Sequence, residues 1–373
     1  MTTVTAAPLG TAAQTSTRPV RLVLGAIGTC LVAWLMGNTF LALSYYPGWF
    51  FDSRVLMAVV GIIAGLGGAA LLFYCVNVFV EALPQRFSQG LIPYAYVLPA
   101  LALIALMLVY PTVQTINYSF ANDDSTAYVG LDAYRAIFTD GEFWLSITNN
   151  VLWLVVVPTL TVIIGIAVAL FADRLSAKGE NVAKSLIFLP MAISFVAAST
   201  IWGIQMYSAD ADVGLLNAIV TAFGGQAQDW IRVDTGRLNS FLMMVILVWM
   251  QAGFAMVLLS GAIKGVPEET LEAARIDGAN ERQVFFRVII PQIKGTIITV
   301  AITVIILVLK VFDIVYVLLN GQARTNVIAV LFYQELFTFQ RAGIASAIVV
   351  VLLLLVTPVL VYQVRQYRKE GVR

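Results

Sequence analysis

Histidine is absent from the 373 residues, and charged residues make up only 12% of them. The absence of histidine excludes Ser-His-Asp and Cys-His catalysis, histidine metal sites and histidine proton relays. Cysteine is scarce as well: Cys30 and Cys75 both lie in apolar runs, where they build neither a disulfide framework nor a zinc site. Lys plus Arg is 22 against 21 Asp plus Glu, which excludes a nucleic-acid binder driven by bulk positive charge.

Apolar residues are what the chain has in excess, at 60% of the sequence. A helix needs about 20 mostly apolar residues to cross a membrane. The sequence predicts eight such spans, at roughly 22–43, 55–80, 94–116, 147–171, 184–206, 239–262, 296–319 and 342–364. These runs are too long for the ~10-residue alternating strands of a membrane barrel. We therefore predict an all-α, polytopic membrane protein without a catalytic site, a metal site or a nucleic-acid partner.

The ends of the spans predict an orientation. Residues 1–19 are rich in Thr, Ala and Pro, a composition typical of a disordered tail. Basic residues collect on the cytoplasmic side of membrane proteins. If the N-terminus is cytoplasmic, most basic residues lie on that side, and the opposite segments hold only Arg54, Arg135, Arg232, Arg237, Arg324 and Arg341. Both termini are then predicted to face the cytoplasm.

The polar segment 264–295 interrupts the apolar runs. Pro267 suits the first position of a helix, Gly278 suits the left-handed residue that ends one, and Asn280 can cap a second helix. Pro291 then ends or kinks that second helix. The segment therefore predicts two short helices joined by a glycine turn.

The second of these helices carries an apolar stripe, formed by Val284, Phe285, Val288 and Ile289. Such a stripe flanked by charges favours either a protein partner or a membrane surface. Acidic residues of the segment offset its basic ones, and this mixture favours a protein cleft over anionic lipid.

One motif in this segment is specific. It consists of Glu272-Ala273-Ala274, three further residues, Gly278, nine further residues and Val288-x-Ile290-Pro291. This motif resembles the EAA loop of ABC importer permeases, whose pattern is E-A-A-x3-G-x9-I-x-L-P. The resemblance implies a coupling helix that docks on a cytoplasmic ATPase dimer and switches the spans between outward and inward access. The coupling residues it implies are Glu272, Ala273, Ala274, Asp277, Gly278 and Pro291.

The resemblance covers about residues 90–370 and is closest to carbohydrate permeases of the maltose-permease type. Lys310-Val311-Phe312-Asp313 through Asn320-Gly321 is similar to the α-glucoside and glucosylglycerol permeases, although Gly321-Gln322-Ala323 stands where many members have Gly-Gly-Pro. This implies a tail at 1–19, two extra N-terminal transmembrane helices at 20–88 and a six-helix permease core at 89–373.

The family also implies partners and cargo. A permease of this kind sits in the bacterial plasma membrane with a second homologous permease, the ATPase dimer, an extracytoplasmic sugar-binding protein and lipid. It binds no cofactor, and trehalose, maltose, sucrose or glucosylglycerol are its plausible cargo. The chain contains no G-x-x-x-x-G-K-[ST] sequence, so ATP hydrolysis is expected on a partner chain.

Several residues within the predicted spans are candidates for the substrate pathway. Lys310 and Asp313 are three positions apart, so on one helix they would share a face and could pair. They could equally line a translocation cavity, because charges in a span face protein or water. Aromatic rings and amides suit sugars, but interhelix packing explains them equally well. The further candidates are Trp249, Gln251, Phe254 and Tyr316. Asn149 and Asn150, near a span end, are equally ambiguous.

Two other functional classes are compatible with a multi-span chain. An ion-gradient-driven secondary transporter often has inverted repeats and broken spans, but no convincing repeat is visible here. A membrane enzyme or a channel is the third possibility. Neither class gives a reason for the EAA motif.

Overall fold

The computed structural model describes residues 19–83 and 85–370. Regular secondary structure in these residues is helical, apart from one isolated antiparallel bridge between Ala121 and Tyr128. The predicted all-α architecture is therefore confirmed. The predicted tail lies outside the described residues, except that Pro19 begins the first helix.

Most helices follow one another with short connections, and longer connections follow Tyr118 and Ala222. In chain order they are α1 (Pro19–Tyr45), α2 (Arg54–Glu81), α3 (Gln85–Ile104), α4 (Tyr110–Tyr118), α5 (Asp132–Thr139), α6 (Gly141–Ala172), α7 (Ala177–Phe188), α8 (Phe195–Ile201), α9 (Leu215–Ala222), α10 (Leu238–Lys264), α11 (Glu268–Ile276), α12 (Glu281–Val284), α13 (Ile290–Gln292), α14 (Lys294–Leu309), α15 (Asp313–Leu319), α16 (Ile328–Tyr333) and α17 (Ala342–Glu370). Turns of π-helix extend or join several of them, at Ile63–Gly67, Ala105–Val109, Trp202–Met206, Phe285–Ile289 and Gln334–Thr338.

Within the described residues, 6 stretches are individually long and apolar enough to cross a membrane, and up to 8 if each of two bent pairs is one span. The 6 stretches are Pro19–Tyr45, Arg54–Glu81, Tyr96–Tyr118, Gly141–Ala172, Thr235–Lys264 and Ala342–Tyr362. The bent pairs are Ala177–Ala192 with Phe195–Met206, at 104°, and Glu281–Gln292 with Lys294–Leu309, at 68°. The predicted polytopic architecture is confirmed, but the predicted runs 184–206 and 296–319 are not straight helices.

The bend in the first pair has a local cause. Pro190 lies in a short 3-10 turn after α7 and has no N–H to continue an α-helix. Ser194 then caps the next helix, because its Oγ accepts a hydrogen bond from the Ala197 N–H at 3.2 Å. The chain therefore stops one helix and starts another within a few residues.

The chain divides into two compact units, up to Val113 and from Gln114. In the first unit α1 packs against α2, and α3 packs against α2. The Phe73 and Tyr96 rings meet there with centroids 5.4 Å apart.

The core of the second unit lies between α6 and α10. Trp153 and Val157 of α6 pack with Met243, Met244 and Leu247 of α10, and all five are at most 2% exposed. Valines of α14 and α15 complete this cluster, among them Val304, Val308 and Val315. Because lipid is as apolar as these side chains, close packing holds such helices together.

Small residues let the backbones approach closely in this core. A Cβ at Gly253 of α10 would lie 2.6 Å from the Phe188 Cα and would overlap the carbonyl oxygen of Ile187, so α7 rests directly on the α10 backbone. Gly165 of α6 meets Ala255 of α10 in the same way, where an added Cβ would lie 2.6 Å from the Ala255 Cβ. Two faces of α10 are therefore fixed by contacts that leave no room for a larger residue.

Two asparagines of α6 hold the connection between α15 and α16. The Asn149 side-chain amide donates to the carbonyl oxygens of Arg324 at 2.9 Å and of Asn326 at 2.7 Å. The Asn150 side-chain oxygen accepts from the Ile328 N–H at 2.8 Å. Both asparagines are buried. They satisfy backbone groups of the irregular connection and of the first residue of α16, which gives both asparagines a structural role.

The contact between α7 and α10 predicts a stability difference between two glycines of one helix. We expect Gly253→Ala to lower the stability of the purified protein by about 1–3 kcal/mol, because backbone atoms must move to admit the methyl group. Gly261→Ala is the matched control, since nothing lies within 4 Å of its Cβ position. It should be neutral or stabilising, because alanine is the better helix former. Thermal unfolding in detergent measures both, and equal midpoints for the two variants would contradict the prediction.

Candidate functional site

The span that carries Lys310 and Asp313 is broken between them. Helix α14 ends at Leu309, Lys310 and Phe312 have non-helical backbone angles, and α15 begins at Asp313. The expectation that Lys310 and Asp313 share the face of one helix is therefore wrong. Their pairing is absent too, because the ion pairs among residues 19–83 and 85–370 all join other residues. Asp313 instead occupies the first turn of α15, where a carboxylate complements the positive helix end.

A cavity of about 260 Å³ opens at this break. Non-helical backbone at membrane depth is tolerated only where it is buried in protein or lines a water-filled cavity. The lining comes from three parts of the second unit: Phe195 of α8, Leu247 of α10, and a run from α14 to α15 that consists of Leu307, Lys310, Val311, Phe312, Asp313 and Ile314. Lys310 and Asp313 thus bring opposite charges to one cavity without forming an ion pair with each other.

An aromatic row continues from the break. The Phe312 and Tyr316 rings are stacked, with centroids 4.9 Å apart and planes 17° apart. Tyr316 also meets Tyr333 of α16 at 5.0 Å, and Tyr333 meets Phe337 at 4.9 Å. Tyr316 therefore lies one ring away from the cavity lining.

The other candidates for the substrate pathway lie elsewhere on α10. Trp249 meets Trp202 with ring centroids 5.5 Å apart, and both line a second cavity of about 500 Å³. Apart from the two indoles, the residues around this cavity are aliphatic, so it offers sugar hydroxyls few partners. Gln251 is buried at 4% exposure, and Phe254 is half-buried. The structure brings Lys310 and Asp313 together at one cavity and Trp249 to another.

Sequence reasoning missed Phe195 and Leu247 as parts of the charged cavity. Phe195 follows the Ser194 cap directly, and a serine after Leu-Pro within an apolar run is the signal that could have revealed a helix start. Leu247 carries no such signal, because it is one apolar residue among many on α10.

The segment 264–295, which we name the EAA segment, forms two short helices as predicted. Pro267 is the capping residue before α11 and not its first helical residue, a shift of one position. Gly278 has φ +84°, in the left-handed region that glycine adopts without strain. The Asn280 side chain accepts from the Gln283 N–H at 3.0 Å, and the Gln283 side chain accepts from the Asn280 N–H at 2.8 Å. This capping box begins α12.

The turn between α11 and α12 is closed by an ion pair. Arg275 Nε lies 2.9 Å from Glu281 Oε1. Hydrogen bonding to this carboxylate raises the pKa of the Arg275 guanidinium above its usual value. Pro291 lies in α13, directly before the 68° bend into α14. The EAA segment is therefore a defined structure with fixed ends.

The exposed residues of the EAA segment form what we call its outer face. Glu272, Ala273, Asp277, Gly278 and Pro291 are exposed, and Ala274 is half-buried. Ile276 and Phe286 are 85% and 67% exposed, which is high for large apolar side chains outside the long apolar spans.

The predicted docking stripe is wrong in part. Val284 is 1% exposed, and Ile289 packs against the cluster of Ala255, Leu259, Ile293 and Val300. Ile289 thereby binds the EAA segment to α10 and α14. Phe285 and Val288 are half-buried. The apolar side chains of the segment that are most available to a partner are Ile276 and Phe286.

Comparisons with known proteins agree with one another. The sequence profile of the family described as "Binding-protein-dependent transport system inner membrane component" matches residues 161–369. The chain is 42% identical over 335 residues to the alpha-glucoside transport system permease protein AglF of Rhizobium meliloti, covering 85% of this chain and 98% of that protein. It is 44% identical over 278 residues to the osmoprotective compounds uptake permease protein GgtC of Synechocystis, covering 74% and 98%.

A solved structure shares the fold. The crystal structure of a bacterial alginate ABC transporter, in complex with an alginate pentasaccharide-bound periplasmic protein, contains a chain that superposes with a TM-score of 0.64 at 20% identity. The match covers 74% of this chain and 94% of that chain.

The capping box predicts a local change in hydrogen exchange. We expect Asn280→Ala to destabilise α12 by about 0.5–2 kcal/mol, because the Gln283 N–H loses its acceptor. The backbone amides of 281–289 should then exchange faster, whereas those of α11 keep their rates. Asn280→Ser keeps an acceptor oxygen and serves as the control. Unchanged exchange in Asn280→Ala would show that tertiary packing alone holds α12.

Proposed function

The chain belongs to the family of binding-protein-dependent transport system inner membrane components, and we propose that it is a permease subunit of an ABC importer for an α-glucoside-type sugar. It forms part of the translocation path and performs no covalent chemistry. A separate ATPase dimer supplies the driving force.

One observation carries the proposal. The bent pair Glu281–Gln292 and Lys294–Leu309 joins the EAA segment at one end to the Lys310–Asp313 cavity at the other. A helix of 16 residues is about 24 Å long at 1.5 Å per residue. A push on the exposed segment therefore reaches the cavity through the bend and then along one continuous helix, α14.

Coupling to the ATPase is assigned to the outer face of the EAA segment. Glu272 offers an exposed carboxylate to a basic group, and Ala273 permits close approach of the partner. Ile276 and Phe286 add apolar contact area. Gly278 and Pro291 fix the geometry of the segment, and Ala274 and Asp277 flank its turn.

The substrate class follows from one relative and from the cavity. AglF is an alpha-glucoside transport system permease protein, and the chain is 42% identical to it. A sugar offers hydroxyl groups and apolar ring faces. The Lys310 ammonium and the Asp313 carboxylate can bind the hydroxyl groups, and the Phe195 and Phe312 rings can contact the apolar faces. Trehalose, maltose, sucrose or glucosylglycerol are the candidate cargo, and Tyr316, Trp249, Gln251 and Phe254 are proposed for other parts of the path.

The assembly and the orientation complete the proposal. The family description supports an external binding protein as partner, and the second permease follows from the same resemblance. We place both termini on the cytoplasmic side, as the basic residues indicate. Residues 20–88 then form two additional transmembrane helices and 89–373 the permease core. An ion-gradient-driven transporter gains no support from family membership.

The coupling assignment predicts the effect of removing one carboxylate. We expect Glu272→Ala to weaken co-purification of the ATPase and to lower ATP-driven uptake about tenfold or more, because a charge-assisted contact is worth roughly 1.5–3 kcal/mol. Thr270→Ala, an exposed position on the other side of α11, should leave both unchanged. Uptake of labelled α-glucosides into proteoliposomes, with an ionophore present, measures the effect. Normal uptake by Glu272→Ala would contradict the assignment, and uptake abolished by the ionophore would contradict the ABC importer.

The cavity predicts a second effect, on apparent affinity. Asp313→Asn keeps the size of the side chain and removes its charge, so we expect the KM for uptake to rise about tenfold, a shift of roughly 1.4 kcal/mol. The amount of assembled complex should stay constant. Val317→Ala, one turn further along α15, is the control. An unchanged KM for Asp313→Asn would remove the cavity from the substrate pathway.

A further inference from the structure

A cluster of four charges and one hydroxyl joins three helices of the second unit. Lys184 Nζ donates to Asp173 Oδ1 at 2.9 Å, to Glu180 Oε1 at 2.6 Å, and to the Ser260 hydroxyl. The Ser260 hydroxyl in turn donates to Asp173 Oδ1 at 2.9 Å. Lys264 lies 3.5 Å from Asp173 Oδ1 and also contacts Glu180.

The three N–H donors of Lys184 are fully used. A lysine ammonium has three N–H donors. Those of Lys184 reach Asp173, which directly follows α6, Glu180 in the first turn of α7, and Ser260 near the end of α10. The Asp173, Glu180 and Lys184 side chains are only 16–18% exposed. Two acidic and two basic side chains leave no net charge, which is how charges withdrawn from water are tolerated. Lys264, with 51% side-chain exposure, is the most exposed of the four charged members.

The cluster lies where the EAA segment begins. Lys264 ends α10, and α11 of the EAA segment begins at Glu268. Gly265 lies in this short link and is exposed. At its other end the EAA segment is fixed to α14 by the buried Ile293. The ionic cluster is the corresponding fixed point at the beginning of the segment.

The cluster is also connected along the chain to a second wall of the cavity. Helix α7, which carries Glu180 and Lys184, leads through the 104° bend into α8, whose first residue, Phe195, lines the Lys310–Asp313 cavity together with the α14–α15 run. The beginning of the EAA segment therefore connects through the cluster to one wall, and its end connects through α14 to the other.

We propose that the Asp173–Glu180–Lys184–Ser260–Lys264 cluster transmits movement of the EAA segment to α7 and α8, with Lys264 and Ser260 as positioning residues for the cavity wall at Phe195. The inference rests on the proposed ATP-driven function. Without the cluster, the segment still moves α14, but the wall at Phe195 no longer follows it. ATP hydrolysis then continues while the cavity fails to switch access.

The test measures uptake per ATP hydrolysed in proteoliposomes that hold the whole importer. We expect Lys264→Met to leave the amount of complex and the ATPase rate within about twofold, and to lower sugar uptake per ATP by about fivefold or more, the lower end of ordinary coupling effects. Lys264→Arg should restore the ratio. Ser260→Ala is a second, milder variant that removes one link between α10 and Asp173 and should lower the ratio in the same direction.

The control is Lys178→Met, which removes the same charge from an exposed position of α7 outside the cluster. Its ratio of uptake to ATP should equal that of the unmodified protein. A purely structural cluster would reduce the yield of complex with an unchanged ratio, which overturns the proposal. An equal loss in Lys178→Met also overturns it. Absence of ATP-driven uptake in the unmodified importer would instead overturn the proposed function.

Discussion

Backbone amide and carbonyl groups inside a membrane must find partners within the protein or in water, and this constraint organises the second unit. Where α14 stops at Leu309 and α15 starts at Asp313, several backbone groups lose their helical partners, and the chain can accept this only where protein surrounds the break or where it lines a water-filled cavity. The break therefore needs walls from other helices, and α8 and α10 supply them through Phe195 and Leu247. Contacts among the other helices of the unit hold α8, α10 and the α14–α15 run around the cavity.

Two kinds of contact hold them. Between α6, α7 and α10 the contacts are steric, because Gly253 lies directly against the α7 backbone and Gly165 lies against the methyl group of Ala255. Such contacts fix distance but are weak in defining rotation, since dispersion forces are not directional. The hydrogen bonds of Asn149 to the connection after α15 and of Asn150 to Ile328, the first residue of α16, are directional. They fix the position of this connection and the beginning of α16 relative to α6.

The sequence predicted the elements that depend on local chemistry. Long apolar runs predicted the spans, and Gly278 with Asn280 predicted the turn and capping box of the EAA segment, because these signals act over three or four residues. The break at Lys310–Phe312 was not predictable in the same way. No glycine or proline marks it, and Lys310 with Asp313 at helical spacing favours a continuous helix. The use of Val284 and Ile289 for internal packing was equally hidden, because an apolar stripe does not reveal which surface covers it. Both outcomes depend on contacts between residues far apart in the sequence.

The two ends of the EAA segment are fixed by different physics, and the difference suits their positions. At Ile293 the contact is apolar and lies at the bend into α14, and apolar burial is non-directional. At Lys264 the link to the next helix is a short stretch with an exposed glycine, which by itself defines no direction. The ions and hydroxyl of the cluster there are directional, and a buried charge that loses its partner is costly. A directional contact is therefore placed where the backbone alone cannot hold an angle, and a buried apolar contact where the chain bends by 68° into α14.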